Sequence, residues 1–100
     1  MPRLTLSTQA VLATLLEDPS QPRYGLEVAR QAGLPSGTLY PILARLEAAG
    51  WVESAWEAID PVAEGRRPRR YYRLTGEGEQ VARIALRDTL RKLTPGVSAS

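Results

Sequence analysis

Five arginines, Arg66, Arg67, Arg69, Arg70 and Arg73, fall within eight consecutive residues of this hundred-residue chain. A guanidinium presents a planar fork of N–H donors that matches phosphate geometry, so such a cluster suits contact with a polyanion. The formal net charge is only +2, and the signal is therefore the local concentration of charge. A second polar group lies upstream. Ser36, Gly37 and Thr38 bring small hydroxyls and backbone amides to one short stretch, with Tyr40 and Arg45 following. That set suits a phosphate or a base edge. Tyr24 adds a hydroxyl that could reach a phosphate.

Each of these residues has a plainer role as well. Ser36 and Thr38 are good helix caps, Tyr24 and Tyr40 are good rim aromatics, and Arg45 suits a surface ion pair. Glu47 reads as structural, because a carboxylate facing a polyanion is repelled. Other chemistry is poorly served. The chain contains no histidine and no cysteine, which removes disulfides, the commonest metal ligands and the commonest general acid near neutral pH. No metal or cofactor is expected. No apolar run approaches the roughly 20 residues that span a bilayer, and the N-terminus lacks a secretory layout. The sequence reads as soluble and cytoplasmic, with no membrane partner.

The elements that must position these residues can be read from periodicity. A first helix is expected over about Ser7 to Glu17, with Ser7 or Thr8 as cap and Val11, Leu12, Leu15 and Leu16 as its apolar stripe. A second is expected over about Tyr24 to Ala32, ended by Gly33. Only Gly33, Leu34 and Pro35 separate it from a third, which runs from about Ser36 to Ala49 with Leu39, Ile42, Leu43 and Leu46 inside. Two helices joined by a tight glycine-containing turn make a helix-turn-helix. Either Ser36 or Thr38 could cap the third helix; Pro41 is harmless if Thr38 does.

Two strand-like runs follow, Trp51 to Glu57 and Arg69 to Leu74, with turn signals between them. Placing Glu57 opposite Arg69 puts Glu53 opposite Arg73, giving two opposite-charge pairs on one face, with a slip of two residues as the open alternative. The other face then pairs Val52 with Leu74, Ser54 with Tyr72 and Trp56 with Arg70. Both tryptophans read as packing residues. In this register Arg66 and Arg67 lie past the last ion pair, with unpaired guanidinium groups free to reach a minor groove. A last helix over about Thr75 to Leu93, capped by Thr75, carries a broad apolar surface. The fold class is mainly α with a small β-hairpin: a winged helix-turn-helix of three helices, a two-stranded wing and a C-terminal helix. Residues 1–74 form the winged unit, 75–94 the last helix of the same domain, and 95–100 a flexible tail.

Tyr24-Gly25, the block Ser36-Gly37-Thr38-Leu39-Tyr40-Pro41, Leu46-Glu47, Gly50, Gly65-Arg66 and Pro68-Arg69-Arg70-Tyr71-Tyr72-Arg73-Leu74-Thr75 occur in one order. In these motifs, over roughly residues 6 to 93, the chain resembles the PadR family of bacterial transcriptional regulators, in its short form with a single C-terminal helix. The turn before the third helix is shorter than in many members. The resemblance implies a homodimer that binds operator DNA, usually as a repressor, and no enzymatic activity. The DNA-facing set is then Tyr24, Ser36, Gly37, Thr38, Tyr40, Arg45, Arg66, Arg67, Arg69 and Arg70.

The last helix, through Val81, Ile84, Ala85, Leu86, Leu90 and Leu93, is expected to be covered by a second copy, since a chain this short gains little from a lone core. A two-fold dimer implies a pseudo-palindromic double-stranded operator. A small-molecule effector is compatible with the family but has no support in this sequence. The competing reading is a winged-helix protein-interaction module without DNA binding.

Overall fold

Thr5, rather than Ser7 or Thr8, starts the first helix. In the computed structural model, which describes residues 2–93, the Thr5 hydroxyl accepts the Thr8 amide at 3.1 Å. Helix α1 spans Leu6–Leu16 and buries Val11, Leu12 and Leu15. The polar stretch after it holds an element that periodicity does not show, the two-residue strand β1, Arg23–Tyr24. The Arg23 guanidinium donates to the Thr14 carbonyl at 2.7 Å and to Gln31 Oε1 at 2.8 Å. It thereby ties the end of α1 to helix α2, Gly25–Ala32.

Helix α2 closes at Gly33, whose φ of 70° lies in the left-handed region that a side chain disfavours. Helix α3, Ser36–Ala48, follows directly. Neither Ser36 nor Thr38 caps it. The N-cap is Pro35, whose carbonyl accepts the Thr38 and Leu39 amides at 3.0 Å each. Both hydroxyls therefore sit exposed in the first turn. Pro41 is in consequence an interior proline, which leaves the Gly37 carbonyl without its helical donor. Both residues are exposed, so water can take that place.

The wing is part of a three-stranded antiparallel sheet, not two. Strands β2, Val52–Trp56, and β3, Arg70–Leu74, form the hairpin. β1 adds to the far side of β3, giving the order β1-β3-β2. The register of the hairpin is the expected one, with Val52 opposite Leu74, Glu53 opposite Arg73 and Trp56 opposite Arg70. Val52, Tyr72 and Leu74 turn inward on the helices. They join Val28, Leu39, Ile42, Leu43, Leu46 and Trp51 in the core. Trp56 packs less than expected: it is 64% exposed, with the Arg70 guanidinium over its ring. The connection holds a one-turn helix α4, Pro61–Glu64, with Asp60 accepting the Val62 amide at 3.0 Å.

Thr75 caps the last helix α5, Gly76–Leu93, as expected. Its hydroxyl accepts the Gly78 amide at 3.0 Å and donates to the Gly50 carbonyl at 2.7 Å. The inner face of α5 is made of small residues, Gly78, Ala82 and Ala85. Ala85, expected at an interface between copies, is buried within the protomer, and Val81 packs on its core. Leu86 is half-buried, whereas Ile84, Leu90 and Leu93 are 56–69% exposed. The tail expected over 95–100 lies outside the described residues.

Candidate nucleic-acid interface

Helix α3 divides cleanly. Leu39, Ile42, Leu43 and Leu46 are buried, while Ser36, Gly37, Thr38, Tyr40 and Arg45 are exposed. Among the described residues Arg45 makes no ion pair, so its guanidinium is available to a partner. Tyr40 lies over Gly25. A Cβ at Gly25 would stand 2.6 Å from the Tyr40 hydroxyl, which gives the Tyr24-Gly25 pair a packing reason. Glu47 is structural, as expected: it accepts the Ser54 hydroxyl at 2.5 Å.

The wing arginines are divided among different partners. The expected Glu53–Arg73 pair forms, with 2.5 Å between Nε and Oε1. The expected Glu57–Arg69 pair does not. Glu57 instead holds Arg66, which donates from Nη1 at 2.6 Å and from Nη2 at 3.0 Å. Arg66 is therefore not the unpaired cation that the hairpin register suggested. Gly65, with φ of 69°, turns the chain after α4 and sends Arg66 back toward β2. Arg69 contributes only its backbone amide to Glu57, at 3.2 Å. Its guanidinium lies over the Tyr24 ring, 5.0 Å from the centroid. Arg70, on the opposite face of β3, lies over the Trp56 ring at 4.9 Å and within 3.8 Å of Glu47. Arg67 is exposed and makes no ion pair among the described residues.

Tyr24 completes this cluster. Its hydroxyl donates to Glu57 at 2.7 Å and lies 3.0 Å from the Tyr71 hydroxyl, and the two rings are stacked with centroids 4.6 Å apart. The hydrogen bond with Tyr71 and that to Glu57 push the Tyr24 hydroxyl up to about 12. The hydrogen bonds from Arg66 and Tyr24 lower Glu57 from 4.5 to about 2. A carboxyl depressed on folding stabilises the fold above its unfolded value and loses that contribution as pH falls through the folded one. Wild type is therefore expected to melt above Glu57→Gln at pH above 4.5, with the gap closing as pH falls to about 2. Melting curves of the two proteins across that range check this. A gap that does not change with pH would show that the charge of Glu57 contributes nothing.

Between α2, α3 and the sheet runs a cleft of about 540 Å³ lined by Tyr24, Leu26, Arg30, Tyr40, Arg69 and Arg70, among others. The fold thus brings Tyr24, Tyr40 and part of the arginine cluster, Arg69 and Arg70, to one surface. Arg30 was not among the expected site residues. Only its position on the exposed side of α2, one helix away from α3, could have indicated it. Tyr71 reads from the sequence as a strand residue, and its role appears only once β1 is in place. No helix among the described residues is long and apolar enough to cross a membrane, and no cluster of metal-ligating side chains occurs among them.

A glycine-turned helix pair, an antiparallel wing and a capped last helix define a winged helix-turn-helix protein of the regulator class. Solved structures agree. A protein described as DNA-binding from Ralstonia eutropha JMP134 is 28% identical, with a TM-score of 0.63 over 82% of this chain and 96% of that one. The PcaV transcriptional regulator from Streptomyces coelicolor is 28% identical, with a TM-score of 0.70 over 85% of this chain and 57% of that one. Overoxidized AbfR bound to DNA is 28% identical, with a TM-score of 0.69 over 96% of this chain and 64% of that one. The chain thus spans less than two thirds of the length of the last two. Among curated proteins none matches. The profile of the PadR-like transcriptional regulator family matches residues 11–84, and the chain belongs to that family.

Proposed function

We propose that the protein binds double-stranded operator DNA as a homodimer and represses transcription there, with the first turns of α3 in the major groove and the wing on the flanking backbone. The observation that carries this reading is the exposed Ser36-Gly37-Thr38 turn, with Tyr40 and Arg45 on the same helix, beside a cleft lined by Arg30, Arg69 and Arg70. A helix presented by its N-terminal residues fits a major groove, and adjacent arginines suit the phosphates that bound it. AbfR, which is similar in fold, has been solved bound to DNA, and this supports the same partner here. Repression follows where such a dimer occupies promoter DNA and excludes other proteins. Operator DNA as the partner places the protein in the cytoplasm.

The test is affinity on DNA beside the protein's own gene against random duplex. Thr38→Ala, Tyr40→Ala and Arg45→Ala are each expected to cost about 1–3 kcal/mol on the operator and much less on random DNA, since base contacts discriminate between sequences and phosphate contacts do not. Equal losses on both would count against base reading by α3. A wild-type protein that shifts neither duplex would favour the protein-interaction reading.

A further inference from the structure

We propose that Glu57 is a positioning residue of the DNA interface that withholds Arg66 from phosphate, so that the wing loop presents Arg67 and Arg69 as its cations. This rests on the DNA-binding reading above. The argument begins with how fully the carboxylate is used. Oε1 accepts Arg66 Nη1 at 2.6 Å and the Arg69 amide at 3.2 Å; Oε2 accepts Arg66 Nη2 at 3.0 Å and the Tyr24 hydroxyl at 2.7 Å. The Glu57 side chain is only 9% exposed. The Glu53–Arg73 pair next to it joins through one nitrogen and leaves both side chains about half exposed. A pair of that open kind exchanges readily with a phosphate. Drawing Arg66 away would instead leave a nearly buried carboxylate short of its two guanidinium donors, which is costly. Arg66 is therefore retained.

The same carboxylate sets Arg69. Glu57 and Tyr71 fix the Tyr24 ring, and the Arg69 guanidinium lies over that ring. A guanidinium held over a ring by its charge need not spend its N–H donors, and among the described residues no protein group accepts from the Arg69 side chain. Arg69 is thus held in place but still able to bind an anion, whereas both terminal nitrogens of Arg66 are committed. Glu57 acts through Tyr24 and Arg66 and need not touch DNA itself.

Salt titrations of affinity for a random-sequence DNA duplex, using the full chain, test this directly. Each phosphate contact contributes about 0.9 to the slope of log affinity against log salt. Arg67→Ala is expected to make the slope shallower by about 0.9 per protomer, and Arg66→Ala to leave it unchanged. In Glu57→Gln the charge and one acceptor are lost, so the bidentate hold on Arg66 is broken and phosphate can compete for its guanidinium. The slope should then steepen by about 0.9 per protomer, and adding Arg66→Ala should return it to the wild-type value. A purely structural role for Glu57 would not steepen the slope. If Arg66→Ala alone flattens the slope as much as Arg67→Ala, or if Glu57→Gln fails to steepen it, the proposal is overturned while DNA binding stands. Should Glu57→Gln not fold, the comparison of Arg66→Ala with Arg67→Ala decides alone. Wild type binding no duplex at any salt concentration would overturn the DNA reading and this inference together.

Discussion

Replacing Gly78 with alanine is expected to destabilise the whole protein. A Cβ at this position would fall against the Trp51 carbonyl oxygen, with the carbonyl carbon 2.6 Å away and the Trp51 Cα 2.9 Å away. These are backbone atoms, so no rotamer change relieves the clash. The Trp51 carbonyl is also held in place: it accepts the Thr75 amide at 3.0 Å, and Thr75 further grips the Gly50 carbonyl. Relief therefore requires the start of α5 to move away from the turn that joins α3 to β2. Overpacking of this kind costs about 3 kcal/mol, a large part of the stability of a small domain. The midpoint Tm should fall by about 10–20 °C. Gly37→Ala is the control. Nothing lies within 4 Å of a Cβ there, and alanine in an exposed helical turn should stabilise by about 0.5–1 kcal/mol. If Gly78→Ala melts with wild type, the close approach of α5 to Trp51 is wrong.

The second large effect is expected on α5. Ile84 is 56% exposed in the protomer, so aspartate there costs the isolated fold little. In a dimer joined through α5 it would place a charge in an apolar contact, where desolvation is expensive. Ile84→Asp is therefore expected to sediment as a monomer at concentrations where wild type is a dimer, and to melt below it only by the concentration-dependent contribution of assembly. Leu86 is a poorer choice, because it is already half-buried and its loss mixes folding with assembly. DNA binding should follow assembly. Two half-sites bound by linked units gain about 10²–10⁴-fold over one, and Ile84→Asp should lose that factor on a two-half-site operator while keeping wild-type affinity for a single half-site. A dimeric Ile84→Asp protein in sedimentation would remove this part of α5 from the interface.

Much of the architecture is legible in the sequence because it depends on local rules. The stripes Val11-Leu12-Leu15 and Leu39-Ile42-Leu43-Leu46 repeat at helical spacing and are buried as that spacing requires. Gly33 and Thr75 stand where a helix must stop or start. The hairpin register is the one that cross-strand charge pairing favours, with Glu53 opposite Arg73 on one face and Val52 opposite Leu74 on the other; a one-residue slip would have turned both faces over, whereas a two-residue slip keeps the faces and only the fold excludes it. The family motifs lie on these same elements.

The tertiary structure decided what lies between distant segments. A two-residue strand has no period to detect, so β1 emerges only when Arg23 and Tyr24 meet Tyr72 and Tyr71 on the free edge of β3. With β1 comes the Tyr24 ring, and that ring takes the Arg69 guanidinium that cross-strand pairing had assigned to Glu57. Glu57 then goes to Arg66, which the turn at Gly65 returns to it. The caps shifted for a similar reason, since the hydroxyls of Ser7, Ser36 and Thr38 were all chemically suitable and only the path of the chain chose Thr5 and Pro35. Nothing in the polar first turn of α5 marks Gly78, and only the fold sets the Trp51 carbonyl against it. By itself the sequence determined the four main helices, the two hairpin strands, their order and the family, because periodicity, turn chemistry and local motifs act over a few neighbours. Which guanidinium each carboxylate holds, and which glycine has no room for a methyl group, depended on contacts across the fold, where several partners of equal chemistry compete and geometry selects one.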